Sequence, residues 1–179
     1  MKRFTTFIFF ISLYLNLLAP VTSHDRLTSI LSSIKEQALQ QEWLRWKQLL
    51  AFKESSDRWQ VVNPQGCIGK YQFKITTLHS LGFKNITLEN FKHTFTPDIQ
   101  EQALEKLIHA NELSLQHFKQ YIGKTVRGIL ITKSGLLAAS HLAGIGSVAK
   151  FLKSAYNASD CNNTSVRDYL QQFSHFNLS

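Results

Sequence analysis

Between Gly135 and Ala143 the chain reads Gly-Leu-Leu-Ala-Ala-Ser-His-Leu-Ala, apolar almost all the way round when wound into a helix. A helix without a polar face has nowhere to lie but inside, so this segment is expected to be a buried central helix. Gly144 should end it, and Ser147 should cap a following helix that runs to about Ser154. Leu27, Ile30, Leu31, Ile34 and Ala38 recur at helical spacing. Trp43 to about Lys53 continues with Leu44, Leu49, Leu50 and Phe52, as one bent helix or two. Ile75 to Leu81 reads as a short helix closed by Gly82. Thr96-Pro97-Asp98 offers a capping hydroxyl, a proline at the first helical position and an acid near the positive end of the dipole. Ile99, Ala103, Leu104, Leu107, Ile108, Asn111, Leu115 and Phe118 follow at helical spacing to about Tyr121. Ser165 and Asp168 make a capping-box start for the last helix, with Tyr169, Leu170 and Phe173 inward.

Residues 55–73 differ in character. Ser55-Ser56-Asp57, Asn63-Pro64, Gly66 and Gly69 signal turns, and Val61-Val62 and Cys67-Ile68 between them suit a small hairpin. The fold class is therefore mainly α: a helical domain with a small β-hairpin or irregular segment, and Glu54 at a helix end beside it.

Lys2 and Arg3 precede an apolar run from Phe4 to Leu18, followed by Ala19-Pro20-Val21-Thr22-Ser23. A charged start, a short apolar core and a small-residue exit describe a secretory signal peptide over 1–23, cut after Ser23. The run is shorter than the ~20 residues a membrane span needs, so no stable membrane insertion is expected once it is removed. Residues 24–179 then form one domain with a sizeable core. Loss of Lys2 and Arg3 takes the net charge from +8 to +6. A basic exported protein suits an anionic partner, or simply carries a solvated surface. Nucleic acid is not expected, because there is no basic run and no binding motif. An oxidising compartment permits one disulfide, Cys67 with Cys161, without requiring it. The seven histidines lack metal-ligand spacing, and no metal or cofactor is expected.

Glu54-Ser55 is followed twelve residues on by Gly66-Cys67-Ile68-Gly69-Lys70-Tyr71-Gln72-Phe73. The glycines allow a backbone to approach a ligand closely. Gln72 carries both donor and acceptor groups and Tyr71 an aromatic face. Together, Glu54-Ser55 and Gly66-x-x-Gly69-x-x-Gln72 resemble the signature of the lytic transglycosylase and goose-type lysozyme group of the lysozyme-like superfamily. Gly69-Lys70-Tyr71-Gln72-Phe73 and Ser140-His141-Leu142-Ala143-Gly144 are similar to one branch of it, and the resemblance covers about residues 50–175. It implies a bacterial, periplasmic or secreted enzyme that cuts peptidoglycan glycan strands. Glu54 would be the catalytic acid/base, and Gln72, Tyr71, Gly66, Gly69, His141 and Ser55 would bind substrate. The group's common Ala-Tyr-Asn-x-Gly is replaced here, so His141 stands where a Tyr helps to position sugar and acid.

Other readings of the same residues are open. Gln72 can tie down its loop, Tyr71 can be core packing, His141 can be a satisfied core histidine, and Asp57 is most simply a turn residue. Protonating a glycosidic oxygen at neutral pH needs a carboxyl that keeps its proton in an apolar surround. Trp46, Phe52 and Trp59 are the nearest candidates in sequence. Most glycosidases use two carboxylates; a lytic transglycosylase works with one, closing a 1,6-anhydro ring with the sugar's own hydroxyl. No second acid follows Glu54 in a clear motif, which favours the transglycosylase. The alternatives are a hydrolytic lysozyme, with Asp57, Glu89 or Asp98 as second carboxylate, and a non-catalytic wall-binding or assembly factor on the same fold. Export is tested by terminal sequencing of the extracytoplasmic protein: a start near His24 is expected, and an intact Met1 in the membrane fraction would mean an anchor.

Overall fold

The computed structural model describes residues 23–154, 156–159 and 164–178. Residues 1–22, nearly all of the signal peptide expected over 1–23, lie outside them, as does Cys161, and with it the expected disulfide to the buried Cys67. The fold is mainly helical. Helix α1 (Ser23–Ser55) is followed by α2 (Ile75–Ser80), α3 (Phe91–Thr94), α4 (Pro97–Leu115), a 3-10 turn (Gln116–Tyr121), strands β1 (Thr125–Val126) and β2 (Ile129–Leu130), α5 (Lys133–Lys153) and α6 (Val166–Gln172).

Contacts among the residues divide the chain between Ala38 and Leu39 into two units. In the first, the described residues are helical, and Leu27, Ile30, Leu31 and Ile34 are exposed. The second unit holds the core.

That core is built on α5, whose residues 134–140 are all buried. By length and composition α5 would suit a membrane, but its first half is packed inside the protein. Trp46 is fully buried and its indole N–H donates to the Ser134 carbonyl over 3.2 Å. It also meets the Phe173 ring edge-on at 5.8 Å. Gly135 faces α6: a Cβ built there would fall 2.6 Å from the Leu170 carbonyl oxygen. The helices can pack this closely only because residue 135 has no side chain. Ser165 caps α6 in a complete capping box with Asp168, whose carboxylate receives the Ser165 N–H at 2.8 Å. These hydrogen bonds, hydroxyl first, hold the Asp168 carboxyl below its ordinary range.

Of the two arrangements left open for α1, the structure has the single helix. Other expectations are refined or corrected. Gly144, at φ 74 and ψ 158, does break the helix as expected: α5 is two helical stretches meeting across a kink there, and Ser147 lies within the second stretch rather than at its cap. The Thr96 side chain makes no cap hydrogen bond, although Pro97 does open α4. Val61-Val62 and Cys67-Ile68 do pair antiparallel, but only through the isolated bridge of Val62 with Ile68, and Ile68 bridges on to Phe73. A two-stranded sheet lies at 125–130, joined through Arg127 and Gly128 at φ 51 and 79. Two consecutive positive-φ residues match the primed turns that suit the strand twist.

Gly135→Ala should destabilise the protein by about 1–3 kcal/mol, since overpacking against a backbone carbonyl outweighs the roughly 1 kcal/mol by which alanine favours a helix. Gly146→Ala, in the helical stretch that follows the Gly144 kink and with nothing within 4 Å of its Cβ position, should gain part of that propensity. Urea unfolding at constant m-value measures both; equal shifts of the midpoint would remove the steric argument.

Candidate functional site

Helix α1 ends because Ser56 and Asp57 both adopt positive φ, at 56° and 60°. Glu54 is therefore in the last turn, with a side chain only 13% exposed. The Tyr169 hydroxyl, arriving from α6, donates to Glu54 Oε1 over 2.8 Å. His141 Nε2, on α5, lies 3.9 Å from the same oxygen. The surround of this acid thus includes two polar aromatic side chains. Of the three aromatics expected to shield it, Trp46 is committed to the core and Phe52 is 63% exposed. Trp59 is half-buried and its carbonyl accepts from Gln100.

Ser55 fastens the helix end to the glycine loop. Its hydroxyl donates to the Lys70 carbonyl over 2.9 Å and accepts the Arg58 N–H over 3.0 Å. A buried hydroxyl engaged in this way positions the loop, and the substrate contact expected of Ser55 gives way to that role. Tyr71 is likewise corrected. It is 1% exposed, so its ring offers no face to a sugar. Its hydroxyl donates to Glu101 over 2.7 Å, and burial, then Glu101, push the phenol well above its ordinary range.

Gly69 does occupy a position where a side chain would collide, but the collision is internal. At φ 79, a Cβ there would fall 2.5 Å from Gln100 Oε1. Gly66 at φ 74 is roomier, with Leu88 3.7 Å from its Cβ position. Gln72, half-buried at φ 50, donates from its side-chain amide to the Gly69 carbonyl over 2.7 Å. It does tie down its loop. His141 is buried, 6% exposed at the side chain, and its Nε2–H donates to the Tyr71 carbonyl over 2.8 Å. It stands between loop and acid.

No family model, curated protein or solved structure matches this chain.

Three residues here escaped sequence reasoning. Tyr169 was legible as core, and only its phenol's need for a partner hinted at more. Gln100 is fully buried and clamps the loop. Its Oε1 accepts the Lys70 N–H at 2.7 Å, and its Nε2 donates to the carbonyls of Trp59 and Phe95 at 2.9 and 2.7 Å. Its place on the buried face of α4, one turn before Ala103 and Leu104, was the available signal. Glu101, the next residue, gathers Lys47, Lys70 and the Tyr71 hydroxyl. The carboxylates considered as second acids, Asp57, Glu89 and Asp98, are all exposed, and Glu89 is held low by the Thr87 hydroxyl. Two cavities of about 320 and 220 Å³ centre on Glu112 and do not include Glu54.

Burial alone would raise Glu101, but hydrogen bonds from Lys47, Lys70 and Tyr71 outweigh it and hold the carboxyl at about 2. A carboxyl lower in the folded than the unfolded state stabilises the fold above its unfolded pKa, and that contribution is lost as pH falls through the folded one. Glu101→Gln should cost about 1–3 kcal/mol at pH 7. Its deficit against the native protein should close as pH drops from 4.5 towards 2. Urea titrations across that range check this, and a deficit independent of pH would contradict it.

Proposed function

We propose that this chain is an exported enzyme that cleaves the MurNAc–GlcNAc β-1,4 bond of bacterial peptidoglycan, as a lytic transglycosylase with Glu54 as its single acid/base. The observation that carries the proposal is the setting of Glu54. A largely buried carboxyl at a helix end receives the Tyr169 hydroxyl at 2.8 Å. Its next residue is bonded to the glycine loop that the motif couples to it. A surface glutamate at a helix end would have no such anchoring. Backbone strain adds support. Three of the four positive-φ residues other than glycine, among those described, are Ser56, Asp57 and Gln72, on the two segments that flank the acid. Unfavourable conformations of this kind cost about 1–3 kcal/mol each and collect where function over-determines the backbone.

In this reading the anchored Oε1 fixes the plane of the carboxyl group, and so the direction in which its proton is offered. Glu54 protonates the glycosidic oxygen as the bond to the muramic C1 breaks. The resulting carboxylate then takes the proton from that sugar's 6-hydroxyl as O6 bonds to C1. The 1,6-anhydro ring closes, no water is consumed and Glu54 recovers its proton. Tyr169 and His141 Nε2–H are dipoles near the transient carboxylate, and preorganised donors of this kind stabilise charge as it develops.

Glu54→Gln keeps shape and the Tyr169 hydrogen bond but cannot exchange a proton. Release of labelled muropeptides from sacculi should fall by about 10²–10⁴-fold, while the melting temperature holds or rises. Undiminished release by a folded Glu54→Gln protein would remove Glu54 from the mechanism.

A further inference from the structure

We infer that His141 is a positioning residue, fixed as the Nε2–H tautomer, which spaces the glycine loop from Glu54 and lends its N–H to the acid when that acid is ionised. The inference rests on the proposed role of Glu54.

The geometry is specific about the proton. Nε2 is 2.8 Å from the Tyr71 carbonyl oxygen, which can only accept, so the hydrogen of this bond must be on Nε2. The other neutral tautomer would aim a lone pair at that oxygen. Nδ1 is enclosed and has no hydrogen-bond partner among the described residues. A bare lone pair tolerates such a site better than an N–H would. The ring is held from one side by the edge of Phe73, at 5.6 Å between centroids and 88° between planes. The titratable group facing it is Glu54 on α1, itself bonded to Tyr169 on α6.

Two consequences follow. The hydrogen bond to Tyr71 joins the loop to α5, and the Tyr71 ring is in turn held by Glu101. The same Nε2–H is 3.9 Å from Glu54 Oε1. That is too long for a hydrogen bond, yet close enough for the dipole to favour the carboxylate. His141 thereby assists the half of the cycle in which Glu54 has given its proton away.

The side-chain nitrogen of glutamine reaches about as far as imidazole Nε2, whereas phenylalanine fills the space without a donor. The test compares native protein, His141→Gln and His141→Phe in three measurements. Imidazole ¹⁵N shifts of the native protein should show Nε2 protonated and Nδ1 bare. The Glu54 carboxyl ¹³C titration should move to higher pH in His141→Phe and return in His141→Gln. On sacculi, kcat should fall by about tenfold or more in His141→Phe with KM little changed, and recover in His141→Gln. A proton on Nδ1, or a Glu54 titration unmoved by His141→Phe, would overturn the inference. Native protein that releases nothing from sacculi would instead count against the proposed function, and the two spectroscopic measurements would still decide the role of His141.

Discussion

The approach of α6 to α5 over Gly135 is the contact on which the rest of this structure depends. With Leu170's carbonyl 2.6 Å from where a Cβ would be, the two helices are as close as their backbones allow. Tyr169, the residue before Leu170, is thereby brought to within hydrogen-bonding distance of Glu54, 115 residues earlier in the chain. The capping box at Ser165 fixes the start of α6, and Phe173 at its end closes on Trp46. A short helix of seven residues has little stability of its own. Its position is dictated by packing, and the position of the Tyr169 hydroxyl follows from it.

A second set of contacts builds the other side of the site. The loop from Trp59 to Phe73 has scarcely any regular structure, yet it is held at many points by side chains. The Gln100 amide satisfies two carbonyls and an N–H, Ser55 takes the Lys70 carbonyl, and His141 takes the Tyr71 carbonyl. Buried backbone groups without a ladder must find such partners. The buried Gln100 and the absence of a side chain at Gly69 are two halves of one contact, because the amide occupies the space that a larger residue would need. Loop, helix end and central helix are thus fixed to one another, which is what the proton transfer proposed for Glu54 would require.

Much of this was legible in the residues. The apolar run from Gly135 has one solution, a buried helix, and α5 is that helix. The turn signals around Gly66 and Gly69 announced a small hairpin or irregular segment after Glu54. What was not legible depended on distant partners. The Tyr71 ring suited a sugar as well as a core, and the decision fell to Glu101 and Lys70, which meet its hydroxyl and its face. The partnership of Tyr169 with Glu54 has no local signal, since α6 carries the pattern of any packed helix. The strands at 125–130 were hidden because Arg127, rather than Asn or Asp, takes the first positive-φ position of their turn. The exposed stripe of Leu27, Ile30, Leu31 and Ile34 is ordinary amphipathic spacing, and spacing alone does not tell a covered face from an open one.

The central claim is that one anchored carboxyl, without a second acid, breaks the glycan strand by ring closure. It is tested most directly by the mass spectra of muropeptides released when the purified protein digests sacculi. The account predicts 1,6-anhydro muramic ends, lighter than the reducing form by one water. Reducing ends would contradict it, because they would require a water activated by a second carboxylate.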